Sequence, residues 1–124
     1  MNKGLDASLK KRRKAQESEK YTALLSALPL LSMLQKLLIR KQNGKKPYSL
    51  SFDFFSKMEQ IKKTENKILD VSKTLTIDDT IKEDLMSIAE IASLAKEETR
   101  LESLKGDFVY LSDMFAEISR FLVI

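Results

Sequence analysis

Apolar positions along the chain fall into four helix-like runs separated by short polar joints. The densest run is Thr22 to Ile39, TALLSALPLLSMLQKLLI. Its polar positions, Thr22, Ser26, Ser32, Gln35 and Lys36 with Arg40 just beyond, lie near one line along a helix of 3.6 residues per turn. Leu24, Leu25, Leu28, Leu31, Leu34, Leu37 and Leu38 cover the rest of its surface. A helix apolar over most of its circumference belongs at the centre of a bundle or in a lipid bilayer. Its 18 residues meet the lower limit for a span. Against a span stand Pro29, which should kink the helix, and Lys36, since a lysine near a span centre costs ~3 kcal/mol on insertion. Lys36 is close to one end, however, where a lysine can snorkel. The run is expected to be the Leu-rich central helix of a bundle, kinked at Pro29 or made of two helices meeting there, with a membrane span or interfacial helix as the alternative.

The remaining runs look like helices cut to cover that centre. Asn43-Gly44 suits a helix end, and Lys45 to Tyr48 a loop. Ser49 or Ser51 caps a helix over about 50–74, with Phe54, Met58, Ile61, Ile68, Val71 and Leu75 along one seam, broken only at Thr64–Glu65, and Phe52 and Phe55 widening it. Thr76 with Asp79, or Thr80 with Glu83, matches a capping pattern for a third helix over about 77–104. Asp78, Asp79, Glu83 and Asp84 complement the positive end of that helix. Ile77, Ile81, Leu85, Ile88, Ala92, Ala95 and Leu101 mark its core side, and its alanines permit close helix approach. Lys105-Gly106-Asp107 reads as a stop and restart, followed by a helix over 107–122 with Phe108, Leu111, Phe115, Ile118 and Leu122 on one stripe. Val109, Met114, Phe121 and Val123 fall away from that stripe and, with Ile124, form an apolar set suited to a partner.

The pattern predicts an all-α fold: a mostly antiparallel bundle of four or five helices. Residues 1–20 form a basic N-terminal arm, and 21–124 a single helical-bundle domain. A chain of 124 residues with three glycines and two prolines suits one core built from a few long helices. Secretory processing is not expected, because the apolar run starts too far into the chain and lacks a small-x-small cleavage pattern.

Charge changes the picture more than composition does. Residues 1–50 hold twelve basic side chains against Asp6, Glu17 and Glu19, a net of +9; residues 51–124 hold ten basic against fifteen acidic, a net of −5. Such a split suits a polyanion-facing end, or an N-terminal half that docks on the acidic half. The block Lys10, Lys11, Arg12, Arg13, Lys14 is the densest charge in the chain. Together with Lys41, Lys45 and Lys46 it forms the candidate polyanion-binding set, for phosphates or anionic head groups.

Absent residue types exclude whole chemistries. With no histidine and no cysteine the chain has neither a Ser-His-Asp nor a Cys-His site, nor a zinc finger. The glycines at 4, 44 and 106 are too scattered for a phosphate-cradling loop. Paired carboxylates such as Glu97–Glu98 and Asp78–Asp79 are sequence neighbours pointing different ways on a helix, which makes them poor acid–base partners. The expectation is a non-enzymatic interaction module without cofactor or metal, a small subunit or adaptor of a larger assembly that binds a protein partner or itself. Phosphate-backbone binding of nucleic acid, with low sequence selectivity, is the first alternative and membrane association the second. A cytoplasmic setting is expected, or a nuclear one if the host is eukaryotic.

Overall fold

The computed structural model describes residues 18–42, 52–74 and 76–123, and among these residues it is helical with no strand. Among the described residues the main helices are α1 (Ala27–Gln42), α2 (Phe52–Thr74), α3 (Thr80–Glu97) and α4 (Glu102–Val123). Residues 18–25 are also helical and lead into α1 through a turn at Ser26, whose amide still bonds the Thr22 carbonyl. This turn lies three residues before Pro29, which has no amide to offer Leu25.

Cross-helix bonds set the directions. The Tyr21 hydroxyl donates to the Ser72 carbonyl (3.4 Å) and the Gln35 amide to Glu65 (3.0 Å), so the 18–42 stretch and α2 are antiparallel. The Ser112 hydroxyl donates to the Ala89 carbonyl (3.0 Å) and that of Ser119 to the Lys82 carbonyl (2.8 Å), which makes α3 and α4 antiparallel. Lys41 near the end of α1 pairs with Glu98 just past α3, so these two helices finish at the same end. Each helix packs on the next in sequence and α1 packs on α4, which closes the ring. The pairing of α3 with α4 is by far the most extensive.

The core follows the apolar stripes. Leu24, Leu31 and Leu34 are fully buried, as are Ile61, Ile68, Ile81, Leu85, Ile88, Phe108, Leu111 and Phe115. Leu38 and Ala27 join them, whereas Leu25, Leu28, Leu30 and Met33 are half-buried on the flanks. Thr22, Ser26, Ser32, Lys36 and Arg40 of the expected polar line are exposed, whereas Gln35, placed on the same line, is half-buried against Glu65. Residues 18–41 are nevertheless long and apolar enough to cross a membrane, and 33% of their most apolar window is buried in the bundle. Thr64, which interrupts the apolar seam of α2, is buried all the same. Its hydroxyl donates to the Gln60 carbonyl one turn back (3.0 Å), so no polar atom is left unsatisfied.

Two boundaries differ from the pattern-based expectation. The third helix ends at Glu97, not near residue 104, and the last begins at Glu102, not 107. The joint is residues 98–101. There the Glu98 amide bonds the Leu94 carbonyl, the Thr99 amide tightens onto Lys96, and the buried Thr99 hydroxyl donates to the Ala95 carbonyl. Thr99 thus competes for the carbonyls that would have continued the helix. Leu101, expected on the core side, lies in this joint and is 57% exposed. Gly106 is simply a residue inside α4, with open space where a side chain would stand. The second difference is at the start of α3. Asp79 is the N-cap but makes no side-chain cap bond. Asp78 does that work one residue earlier: its Oδ1 accepts the Thr80 amide (2.9 Å) and the Thr80 hydroxyl (2.8 Å). Leu75, Ser49, Ser51 and the joint from Asn43 to Tyr48 lie outside the described residues.

Candidate interaction surface

The last helix carries a stripe beyond the one it needs for packing. Phe108, Leu111, Phe115 and Ile118 face inward and are buried. Tyr110, 50% exposed, and Phe121, 39% exposed, lie on the outer flank with the half-buried Met114. At 100° per residue Tyr110, Met114 and Phe121 fall within about 40° of one another, a single lane along the helix. Val109, also exposed, stands about 140° from Met114 and so belongs to a different flank. The apolar strip is therefore narrower than the expected set of Val109, Met114, Phe121, Val123 and Ile124. Val123 is the last residue of α4, and Ile124 lies outside the described residues.

Ala23 completes the lane from the helical turn ahead of α1. With Met114, Glu117, Ile118 and Phe121 it lines an open cleft of about 220 Å³. The walls are almost wholly apolar, with the Glu117 carboxylate at the rim. The short side chain of Ala23 makes the cleft, because a leucine in its place would fill the gap between the two helices. Tyr110 and Ala23 were not singled out by composition; the i, i+4, i+11 spacing of Tyr110, Met114 and Phe121 is the signal that identifies the first. For Ala23 no local signal exists, since its role depends on which helix lies opposite.

The candidate polyanion set is only partly within the described residues. Lys10, Lys11, Arg12, Arg13, Lys14, Lys45 and Lys46 lie outside them. Lys41 is described, and its ammonium is bound to the Glu98 carboxylate with its side chain 13% exposed. It is committed to holding two helix ends together. The Lys41 contact holds the Glu98 carboxyl below the ordinary glutamate range, against a smaller opposing effect of burial. Asp53 and Lys57, an i, i+4 pair at the start of α2 (2.9 Å), lie close enough to influence Glu98 as well. A second polar cluster joins α2 to α3: Lys67 bonds Asp84 (2.7 Å) and reaches the Thr80 hydroxyl (3.3 Å). The Asp84 bond raises the Lys67 pKa, while the Thr80 amide and hydroxyl lower that of Asp78. Both clusters are spent on joining helices, and among the described residues no group of three or more acidic side chains is arranged to hold a metal ion.

Compared with protein-family models, curated proteins and solved structures, the chain matches none. The functional reading rests on the bundle and its surface alone.

Proposed function

We propose that the protein is a non-enzymatic helical interaction module, a small subunit or adaptor that docks a partner on the cleft formed by Ala23, Met114, Ile118 and Phe121. One observation carries this: Phe121 is 39% exposed at the mouth of a cleft whose other walls are apolar. Large aromatic side chains beside a shallow apolar pocket are the usual anchors of protein interfaces. In this reading residues 1–20 are a basic arm that assists encounter through charge rather than contact area.

The test places a photo-crosslinking amino acid at Phe121 of the intact chain in its host, with Glu59 on the outer side of α2 as control. A discrete adduct from position 121, lost when Met114→Asp is added, is the expected result. Diffuse labelling equal to that from position 59 removes the cleft from consideration.

A second reading is favoured by the distribution of charge. Residues 1–17 hold six basic and two acidic side chains, so the whole net charge of +4 resides there. Phosphate-backbone binding through Lys10–Lys14, with Lys45 and Lys46, would engage about five phosphates and lose roughly 10²–10³ in affinity between 50 and 200 mM salt. Lys41, held by Glu98, contributes little to it. Salt-independent binding to a duplex or single strand, or none at low salt, rules it out.

A further inference from the structure

Among the described residues the outer face of α3 is unpartnered and of one sign. Asp79, Glu83, Met86, Glu90, Leu94 and Glu97 fall in one lane about 80° wide at 100° per residue. All six are exposed, Met86 at 43% and Leu94 at 49%. The cations of this helix, Lys82 and Lys96, are half-buried and lie outside the lane. None of the four carboxylates forms an ion pair with a described residue. Carboxylates at 83, 90 and 97 repeat every seven residues, with a large apolar side chain in each interval. A lane about 27 Å long that alternates negative charge and apolar surface fits a segment of opposite charge carrying a few apolar side chains.

The segment ahead of Ser18 has that character. Residues 1–17 include Lys10, Lys11, Arg12, Arg13 and Lys14, preceded by Leu5 and Leu9. The described structure fixes where this segment leaves the bundle. Tyr21 bonds the Ser72 carbonyl at the end of α2, and the short joint 75–79 leads from there into α3. Ser18 therefore emerges at the end of the bundle where the acidic lane begins. Seventeen residues reach up to about 55–60 Å when extended, twice the length of the lane.

We propose that residues 1–17 dock on the outer face of α3 of the same chain, with Lys10–Lys14 against Asp79, Glu83 and Glu90, and Leu5 or Leu9 further along against Leu94. The contact masks the strongest cationic block of the protein with its own acidic helix. Any polyanion that binds Lys10–Lys14 then has to displace it. The proposal stands apart from the cleft on α4, and either can fail without the other.

The chain has no native cysteine, so one label site can be introduced cleanly. A nitroxide is attached to Ser8→Cys in the full-length protein, and paramagnetic loss of amide signals is read along the bundle. The expected result is loss centred on residues 79–97, unchanged on dilution and abolished at 1 M salt, where the screening length is about 3 Å. The charge-reversed chain Glu83→Lys, Glu90→Lys, Glu97→Lys should show the same abolition at low salt. If that variant does not fold, the salt series on the labelled parent decides the matter alone. Loss centred on another surface, no localised loss, or loss that persists in 1 M salt overturns the proposal. Loss that disappears on dilution also overturns it, because a second copy would then be the acceptor.

Discussion

The α3–α4 hairpin and the α1–α2 pair are both antiparallel, yet they are held together differently. In the hairpin large core side chains are joined by small residues, Ala89 and Ala92 on one helix and Ser112, Ala116 and Ser119 on the other, and the two serines bond carbonyls across the seam. A seryl hydroxyl is only two bonds from its Cα, so its bond to a carbonyl of the facing helix requires the two backbones to approach closely. Ser112 and Ser119 are seven apart, as are their acceptors Ala89 and Lys82, which fixes the register at two successive points. The α1–α2 pair instead brings large aliphatics to the core, Leu31, Leu34 and Leu38 from one helix and Ile61, Ile68 and Val71 from the other, with one side-chain hydrogen bond from the Gln35 amide to Glu65. Small seam residues bring backbones together; large ones hold them apart while supplying more apolar area. The hairpin is thus the more extensively paired half, and the first two helices are a hydrophobic cover fitted to it.

The sharpest way to break this comparison is to remove a core side chain from the cover. Leu31→Ala should cost ~2–5 kcal/mol in chemical denaturation, since Leu31 is fully buried. Hydrogen exchange should then show α1 and α2 amides losing protection before those of the hairpin. Equal loss in all four helices would mean that the two halves are one cooperative unit. A cost below ~1 kcal/mol would show that this leucine is not held in a soluble core.

Widening the hairpin seam comes next. Ala89→Leu inserts three carbons where the Ser112 hydroxyl reaches the backbone, and should destabilise the fold by about 1–3 kcal/mol through forced separation of the helices. The same change at Ser32, exposed on α1, should leave the melting temperature almost unmoved.

Gly106 offers a change of opposite sign. It lies within α4, exposed, with nothing near the position of an added Cβ. Gly106→Ala should therefore stabilise the protein by about 0.5–1 kcal/mol, read as a rise in denaturation midpoint with an unchanged slope. A loss of stability would mean that a chain break is needed at 105–107 after all.

The smallest effect expected is electrostatic and ties the cover to the hairpin. The Glu98 pKa is depressed in the folded protein, chiefly by the bond from Lys41, relative to an ordinary value of 4.5. Its stabilising contribution is present above that value and is lost as pH falls through the lower, folded one. Glu98→Gln should lower the melting temperature slightly at neutral pH and leave it unchanged below the folded value, which flattens the fall on the acid side. With the Glu98 side chain 60% exposed the effect is small, and raised salt should shrink it further.

Much of this architecture was legible in residue order. The inward set on α4, Phe108, Leu111, Phe115 and Ile118, follows from three- and four-residue spacing, because a helix repeats every 3.6 residues whatever lies opposite. The polar line of the Leu-rich run likewise matched most of the side chains that meet water, with Gln35 half-buried against Glu65 and Ile39 exposed as exceptions. Helix ends were less legible. Lys105-Gly106-Asp107 has the composition of a turn but lies inside α4, and the true joint at 98–101 has no glycine or proline to announce it. Its stop depends on Thr99 turning inward to bond Ala95, which is favourable only once the core around it exists.

Local periodicity determined that the chain is helical, which face of each helix is apolar and how charge divides between its halves, because those properties need only neighbours within a turn or two. Tertiary structure decided which faces meet. It placed Ala23 and Phe121 in one cleft, drew Lys41 out of the candidate cationic set by setting Glu98 beside it, and turned the acidic side of α3 away from the other described helices. Each of these depends on contacts between residues tens of positions apart, and no spacing within one helix encodes them.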